Sequence, residues 1–246
     1  HHLVDEGYFD SGTMFDWFRK KARENGAEYL KNEVVGIGRE WDRLTSVTLA
    51  SGETVACGTV VNAAGPRASL IADMVGVELK IEPRKRYTFV FDCAEDLGRD
   101  VPLTIDPSGV HVRSDGDAYM AGCTPDIDPA VAYDDYEIDQ DIFEDKVWPA
   151  LVNRIPAFER IKIQTQWAGH YAHNDFDHNV IVGPHGDVAN FVLANGFSGH
   201  GVQQSPAIGR GVSELITYGE YRTLDLTSLG HARIVDGEPF IESAII

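Results

Sequence analysis

The sequence predicts a mixed α/β (α+β) fold on three observations. A strand–glycine–helix unit lies near each end of the chain, at 59–75 and at 190–216. Between them, 81–123 alternates apolar and polar residues and is rich in β-formers, which predicts an antiparallel sheet. No repeat or low-complexity linker separates these parts. We therefore expect two interleaved domains, with 1–80 and 166–246 in one and 81–165 in the other.

The first elements are a helix and several short strands. Residues 11–26 predict an amphipathic helix that Ser11 or Thr13 could cap and Gly26 could end. Strands are expected at 27–30 and 33–37, a hairpin over 46–57, and a strand at 59–63. The last of these leads through Ala64-Gly65-Pro66 into a helix over 67–75, closed by Gly76.

The later elements lead back to a second glycine-rich turn. A helix is expected over 143–158, with an interruption at Pro149, and strands at 167–171, 179–183 and 190–194. The glycine loop (Asn195-Gly196-Phe197-Ser198-Gly199-His200-Gly201) follows the last strand. A helix over 205–216 completes the unit, and Ser205-Pro206 is a plausible start because proline is tolerated where the first N–H lacks a partner.

Composition excludes some partners. The chain has 246 residues with 21 Lys+Arg against 39 Asp+Glu, a net charge of −18, which argues against a nucleic-acid or anionic-membrane partner. No apolar run reaches the length of a transmembrane segment, and no signal-like segment opens the chain. Cys57, Cys93 and Cys123 are far apart, which favours a reducing compartment. We expect a cytoplasmic protein, or a mitochondrial-matrix protein if eukaryotic; His1-His2 is native or a tag remnant.

The glycine loop has two interpretations. Its three glycines could serve only a tight connection. Alternatively, they could let backbone N–H groups approach a ligand at a helix N-terminus, where negative charge is favoured. The local pattern leaves both open.

Other motifs are weaker. Residues 36–41 have two glycines of a GxGxxG dinucleotide fingerprint, but Trp41 fills the third position and no helical pattern follows. The alternating carboxylates of 135–141 lack the glycine of a calcium loop, with Gln140 in its place, so we expect a solvated acidic helix start. The scattered histidines have no metal-ligand spacing, and no metal is expected.

Several segments together resemble a known superfamily. Residues 60–65, 196–201 and 206–210 are similar to FAD-dependent amine oxidoreductases, which include D-amino-acid oxidase, glycine oxidase and sarcosine oxidase. The closer resemblance is to the family of FAD-dependent oxidoreductase domain-containing protein 1, which is linked to assembly of respiratory complex I. Its collinear matches are 82–87, 145–149, 167–171 and 197–201. Only the C-terminal half to two-thirds of a family member is matched, without the opening βαβ unit and its GxGxxG.

The resemblance implies an incomplete FAD-binding Rossmann-like domain interleaved with an antiparallel β-sheet substrate domain. Carried over by position, Val34 and Val35 would touch the adenine side of FAD. Ala63, Ala64 and Gly65 would pass close to the dinucleotide. The residues bordering the flavin ring would be Gly196, Phe197, Ser198, Gly199, His200, Gly201 and Gln203.

The chemistry that the resemblance implies is oxidation of a small amine or (N-methyl) amino acid by hydride transfer to flavin N5. The candidate catalytic residues are His200, Tyr171 and His170. Backbone donors and the helix dipole near the N1/C2-carbonyl edge should raise the reduction potential of the flavin.

Departures from the relatives refine this expectation. Amino-acid-oxidising relatives often place a carboxylate-binding arginine shortly after the position of Gly169, where this chain has His170 and Tyr171. Sarcosine oxidases attach FAD through a cysteine near that segment and carry a lysine after the glycine loop, where this chain has Gln203. We therefore expect non-covalent FAD and a dehydrogenase rather than an oxidase. Residues 84–86 could form another anion clamp or a structural basic cluster.

Two other functions stay open. The chain could be a flavoprotein that catalyses little and acts as a respiratory-complex assembly factor. It could also be a truncated or split chain that binds FAD only with a separate N-terminal segment carrying GxGxxG. The amine and the electron acceptor are not specified by the sequence.

Overall fold

The computed structural model describes Gly7 and residues 9–243, whose strands form three sheets. In chain order the helices and strands are α1 (Ser11–Glu24), β1 (Val34–Glu40), β2 (Arg43–Leu49), β3 (Thr54–Ala56), β4 (Val60–Asn62), α2 (Ala68–Met74), β5 (Ile81–Cys93), β6 (Thr104–Ile105), β7 (His111–Asp115), β8 (Ala118–Cys123), α3 (Trp148–Arg154), β9 (Ile161–Asn174), β10 (Ile181–His185), β11 (Val188–Asn195), α4 (Gly201–Tyr218) and α5 (Ala232–Asp236). Short 3₁₀ turns lie at Gly65–Arg67, Pro156–Glu159 and Thr227–Leu229.

The three sheets differ in strand direction. Sheet A (β1-β2-β3) and sheet C (β6-β7-β8-β5-β9) are antiparallel. Sheet B has the order β10-β11-β4, and β11 is parallel to β4, with Phe191 opposite Val60 and Leu193 opposite Asn62. The predicted fold class is therefore confirmed: a parallel, Rossmann-like pair of strands is combined with an antiparallel sheet.

Apolar packing covers both faces of sheet B. On one face, α2 packs Ala68 and Ala72 against Phe191 and Leu193. On the other face, α4 contributes Ile208 and Val212 to a cluster with β10 and β11, and β11 supplies Val192 and Ala194. Burial of both faces explains why β11 reads as a continuous apolar run. This packing fixes the end of β11, where the glycine loop begins.

Sheet C has its own core. The alternate β5 residues Tyr87, Phe89 and Phe91 point into a cluster with Phe143 and Phe158 from the helical segment at 143–159. Phe91 and Phe158 meet edge to face, with ring centroids 5.2 Å apart. The alternation that predicted an antiparallel sheet is thus the inward and outward alternation of β5.

Two predictions for the N-terminal part were wrong. Residues 27–30 form no strand and are exposed; the Tyr29 ring instead lies 5.1 Å from the Arg23 guanidinium. Among the described strands, none pairs with this segment. The cap of α1 is Asp10 rather than Ser11 or Thr13, because its carboxylate accepts from the backbone N–H groups of Gly12 and Thr13 at 2.8 and 3.2 Å.

The predicted start of the last long helix was also wrong. Helix α4 begins at Gly201, so Pro206 lies inside it. Proline has no N–H to donate to the carbonyl of Val202, and the Ser205 hydroxyl donates to that oxygen at 2.8 Å instead. This replacement allows the helix to run uninterrupted from the glycine loop.

The acidic segment does not begin a helix. Residues 135–141 are irregular, and helical structure begins as a π-turn at Phe143–Val147 that continues into α3. Pro149 is the second residue of α3, so the interruption falls before it rather than at it. Because Pro149 cannot donate to the carbonyl four residues earlier, widened helical geometry is expected there.

Strand β9 is longer than the predicted 167–171. It pairs with β5 along its whole length, from Cys93 opposite Ile161 to Ile81 opposite Asn174. The expected domain boundary at 165/166 lies inside this strand.

The GxGxxG-like run lies in a strand and the turn that follows it. Gly36 and Gly38 lie within β1, and Trp41 lies in the turn to β2 with φ 58° and 94% exposure. Among the described residues, no helix is long and apolar enough to cross a membrane. The same residues include no group of three or more His, Cys, Asp or Glu that could hold a metal ion.

Candidate functional site

The site is built where two parallel strands end. Strands β4 and β11 end at Asn62 and Asn195, at the same edge of sheet B. The buried Asn195 amide donates to the Asn62 side-chain oxygen at 3.3 Å, and that oxygen also accepts from the Ala64 backbone N–H at 3.2 Å. Ligands of open α/β sheets bind at the carboxyl edge of parallel strands. The two glycine-containing turns predicted as cofactor-binding are therefore brought together.

The first turn presents backbone to solvent. Ala63 is exposed, and Gly65 has φ +56° with open space where a Cβ would lie. The Asn62 amide donates to the Ala68 carbonyl at 2.9 Å, which ties the strand end to the start of α2. Small side chains and a fixed backbone allow close approach of a large ligand.

The glycine loop is held from below by β9. Ser198 is fully buried with φ 44°, its backbone N–H donates to Ala172 O at 3.1 Å, and its hydroxyl oxygen accepts from Asn174 N at 3.1 Å. The Tyr171 hydroxyl donates to the Ser198 carbonyl. A non-glycine residue at positive φ persists only when its surroundings fix it. These three contacts supply that fixation.

Two glycines of the loop permit close contacts. A Cβ on Gly196 (φ +68°) would lie 2.5 Å from Ile81 Cδ1 and 2.9 Å from Asn174 Cβ. A Cβ on Gly199 (φ +91°) would lie 2.7 Å from the Tyr171 ring. These glycines are therefore required for packing of the loop against β5 and β9, as well as for its turn.

The upper side of the loop leads into the N-terminus of α4. Helix α4 has 18 residues, so its N–H groups and dipole present positive potential at Gly201. Three buried polar atoms around this point lack a partner among the described residues: Asn195 Oδ1, His200 Nδ1 and Gln204 Oε1. Buried polar groups are normally satisfied. Unpaired atoms beside an exposed turn fit the binding of a polar cofactor such as FAD.

Other predicted cofactor residues lie further out. Gln203 is exposed on the first turn of α4, and Phe197 is partly buried against the α4 side of sheet B. Val34 and Val35 open β1 in sheet A, and Val35 is 52% exposed. Sheet A is joined to sheet B at the opposite end of β11, where the Asn190 side chain exchanges hydrogen bonds of 2.8 Å with Leu44 N and O. Val34 and Val35 thus lie in a different sheet from the strand that leads into the glycine loop, and their contact with the adenine side of FAD stays a prediction.

The candidate catalytic residues separate into two groups. His200 lies in the loop and Tyr171 directly beneath it, and burial raises the pKa of the Tyr171 hydroxyl. His170 points the other way, as adjacent residues of a strand do. Its Nε2 is 2.7 Å from Asp135 O, and its ring stacks on Tyr136 at 4.1 Å. The structure thus brings Tyr171 and His200 together and leaves His170 outside.

The basic cluster at 84–86 is paired with carboxylates. The Arg86 guanidinium binds both oxygens of Asp128 at 2.8 and 2.9 Å, and Lys85 binds Asp135 at 3.0 Å. Arg84 contacts Asp175 at 3.0 Å. The segment at 128–135 is therefore bound to these residues through the carboxylates of Asp128 and Asp135. This pairing favours the structural interpretation of the cluster over an anion clamp.

A second concave site lies on the far side of Asn174, which lines its wall and also supports the glycine loop. Its cavity, of about 720 Å³, is lined by none of residues 195–201. The polar side chains on its wall include Arg39, Asp187, His185 and His231, and the two histidine rings lie 4.6 Å apart. No sequence motif connects these residues, so sequence reasoning missed the cavity. Sequence reasoning also did not single out Asn62, the last residue of β4, and it named Asn195 only as the first residue of the glycine loop.

Comparison with known proteins gives one consistent result. A sequence profile described as "DAO: FAD dependent oxidoreductase" matches residues 2–215. A curated Xenopus laevis relative named FAD-dependent oxidoreductase domain-containing protein 1 is 38% identical, over 99% of this chain and 55% of its own length. The Bos taurus relative of that name is 36% identical, over 99% and 57%. The chain thus spans little more than half the length of these relatives.

Solved structures with a similar fold agree with this family match. L-proline dehydrogenase from P. horikoshii is similar with a TM-score of 0.83 and 29% identity, over 92% of this chain and 60% of that one. Glycine oxidase from Geobacillus kaustophilus has a TM-score of 0.66 at 20% identity, over 82% and 52%. The second likeness concerns the fold alone.

Proposed function

The chain belongs to the DAO family of FAD-dependent oxidoreductases, and on that premise we propose that it oxidises a small amine or (N-methyl) amino acid beside a non-covalently bound FAD. The observation that carries the proposal is the meeting of the two turns at Asn62 and Asn195, beside buried polar atoms without partners. The name of the P. horikoshii relative, L-proline dehydrogenase, supports an amino-acid substrate and a dehydrogenase.

The residues of this chain have distinct parts in that function. Ala63, Ala64 and Gly65 allow the dinucleotide close to the backbone, and the loop with the α4 N-terminus borders the flavin ring. The chemistry that FAD supplies when bound is acceptance of a hydride at flavin N5 from the carbon beside the substrate nitrogen. Donors at the α4 N-terminus favour the negative charge gained on reduction.

Tyr171 and His200 are the side chains that we propose to face the substrate region. The Tyr171 hydroxyl proton is engaged by the Ser198 carbonyl, which supports a role in shaping the site. His200 Nδ1 has no partner within the described residues and is therefore available to bind a ligand.

The reaction is tested by anaerobic titration of the FAD-loaded protein. L-Proline, glycine, sarcosine and dimethylglycine are added in turn, and bleaching of the flavin absorbance is recorded. Bleaching by at least one of these amines supports the proposal. A yellow protein that no amine reduces contradicts it and favours the assembly-factor function.

The cofactor site is tested with Ala63→Leu, which places a larger side chain where the dinucleotide would approach. Because Ala63 is exposed, folding should be unchanged while FAD affinity falls about tenfold or more. FAD affinity is measured by flavin fluorescence quenching. Ala50→Leu, also exposed, is the matched control and should bind FAD normally. Equal FAD affinity in the two variants would remove Ala63 from the site.

A second candidate is a split site that needs another polypeptide segment. Strand β4 lies at the end of sheet B, and Val61 is 39% exposed. No residue of α1 is buried, although α1 carries Phe15, Trp17 and Phe18. Apolar surface of this kind marks an interaction site. If the chain becomes yellow with FAD only after addition of a GxGxxG-bearing segment from a relative, the split interpretation is supported.

A further inference from the structure

A chain of buried polar contacts connects the glycine loop to the C-terminal part of the protein. It begins at Ser198, whose hydroxyl oxygen accepts from Asn174 N at 3.1 Å. The Asn174 side-chain amide then donates to Asp177 Oδ1 at 2.9 Å and to Asn179 O at 2.6 Å. Asn174 is 1% exposed, so these contacts are shielded from water.

The chain of contacts ends in a buried ion pair. Arg233 of α5 binds Asp177 through two nitrogens, Nε to Oδ2 at 2.6 Å and Nη2 to Oδ1 at 3.0 Å. The side chain of Asp177 is fully buried and that of Arg233 is 7% exposed. Arg233 also donates to the carbonyls of Leu229 and Val180, and Asp177 accepts from Phe240 N at 3.1 Å. The pair therefore fixes three separate segments at one point.

The free energy of a buried ion pair indicates what this pair contributes to the structure. Two buried charges seldom stabilise a protein more than apolar side chains of the same volume would, but they impose one geometry. Here that geometry is transmitted through Asn174 to Ser198, which has φ 44° and depends on its neighbours to keep it. The contacts are thus suited to setting a loop conformation.

We propose that Asn174, Asp177 and Arg233 are positioning residues that hold the glycine loop in its ligand-ready conformation. This inference rests on the proposed function for its biological meaning, since that function places the loop beside the flavin. The loop conformation itself is measurable without FAD.

The test is hydrogen–deuterium exchange of the 246-residue chain in the absence of FAD. Arg233→Met should increase exchange of the loop amides at 196–201 by about tenfold or more, because local opening becomes easier. Amides at 87–91 of β5, which lie in sheet C at the far end of that strand from Ile81 and Asn174, should exchange as in the wild type. Arg233→Lys keeps the charge but not the two-pronged geometry and should give an intermediate increase.

Matched variants keep the result interpretable. Arg160→Met removes an exposed ion pair with Glu95 and should leave loop exchange unchanged. Asn174→Ala cuts the connection without an unpaired charged partner and serves if Arg233→Met fails to fold. Unchanged loop exchange in Asn174→Ala and Arg233→Lys, or equal acceleration in loop and β5, would overturn the proposal. Failure of FAD to bind would contradict the proposed function only.

Discussion

At the residue scale, the site depends on a few positions where backbone geometry and close packing coincide. Ser198 adopts positive φ without being glycine, and its carbonyl, N–H and hydroxyl are all engaged by β9. Beneath it, the Tyr171 ring lies 4.2 Å from the Arg86 guanidinium, which is itself bound to Asp128. The loop is therefore supported by residues whose own positions are fixed.

Gly196→Ala tests the close packing of the loop. The added Cβ would be 2.5 Å from Ile81 Cδ1 and 2.9 Å from Asn174 Cβ, which cannot swing away, so overpacking and left-handed strain at φ +68° should together destabilise the protein by about 2–4 kcal/mol. Gly219→Ala, at φ +78° with open space around it, should cost only the left-handed strain, about 1–2 kcal/mol. Denaturant unfolding measures both. Equal losses would show that packing at Gly196 is unimportant.

At the element scale, two strands that meet in parallel define the site, and local sequence predicted both. The apolar runs at 59–63 and 190–194 correspond to β4 and β11. Strand β11 is apolar throughout because it is buried on both faces, whereas β4 is an end strand with Val61 39% exposed. Burial of a strand can be predicted from consecutive residues. The strand order and the Asn62–Asn195 contact cannot be predicted in this way, since they join residues far apart in the chain.

Helix α4 gives a prediction about Pro206. In Pro206→Ala, the new N–H can donate to the Val202 carbonyl, so we expect stabilisation of about 1–3 kcal/mol. Pro66→Ala is the control, because Pro66 is the second residue of the 3₁₀ turn Gly65–Arg67, where an N–H needs no partner within the turn; its effect should be within about 0.5 kcal/mol. Thermal unfolding compares the variants. A loss of stability in Pro206→Ala would show that proline rigidity outweighs the missing hydrogen bond.

The elements that the sequence did not predict correctly are those whose conformation depends on pairing with distant residues. The first half of β9 is polar and exposed, and only its pairing with β5 makes it a strand. The β-like run at 27–30 pairs with no strand in the described part of the chain and is irregular. In the same way, the glycine loop was recognisable from its glycines, but its support by Asn174 and Arg233 depends on contacts across 24 to 56 positions of the chain.

At the scale of the whole molecule, titration of buried groups couples the fold to pH. The pKa values of His185 and His231 are lowered from the ordinary 6.5, first because burial disfavours the charged imidazolium. Arg39 lowers the pKa of His185 further, and His185 lowers that of His231, while Asp187 opposes both shifts. His111 and His173 are shifted in the same direction by burial.

The unfolded chain therefore binds protons more readily than the folded protein below pH 6.5. Because stability rises with pH wherever the unfolded state holds more protons, the free energy of unfolding should decrease as pH falls from 6.5 toward the lowered folded pKa values. Carboxylates act in a separate range. The pKa values of Asp106 and Glu214 are lowered from 3.8 and 4.5 to about 2 by hydrogen bonds, so their contribution is lost progressively as the pH falls from those ordinary values toward 2.

The double variant His185→Gln, His231→Gln tests this linkage. Glutamine does not titrate, so the decrease in unfolding free energy between pH 7 and pH 5 should be smaller than in the wild type, with His111 and His173 retaining their share. Urea unfolding at successive pH values gives the slope of the unfolding free energy against pH for the variant and for the wild type. Above pH 7.5 the slopes should coincide, because the four imidazoles are then neutral in both states. Equal slopes for the two proteins between pH 7 and pH 5 would show that His185 and His231 do not couple folding to pH.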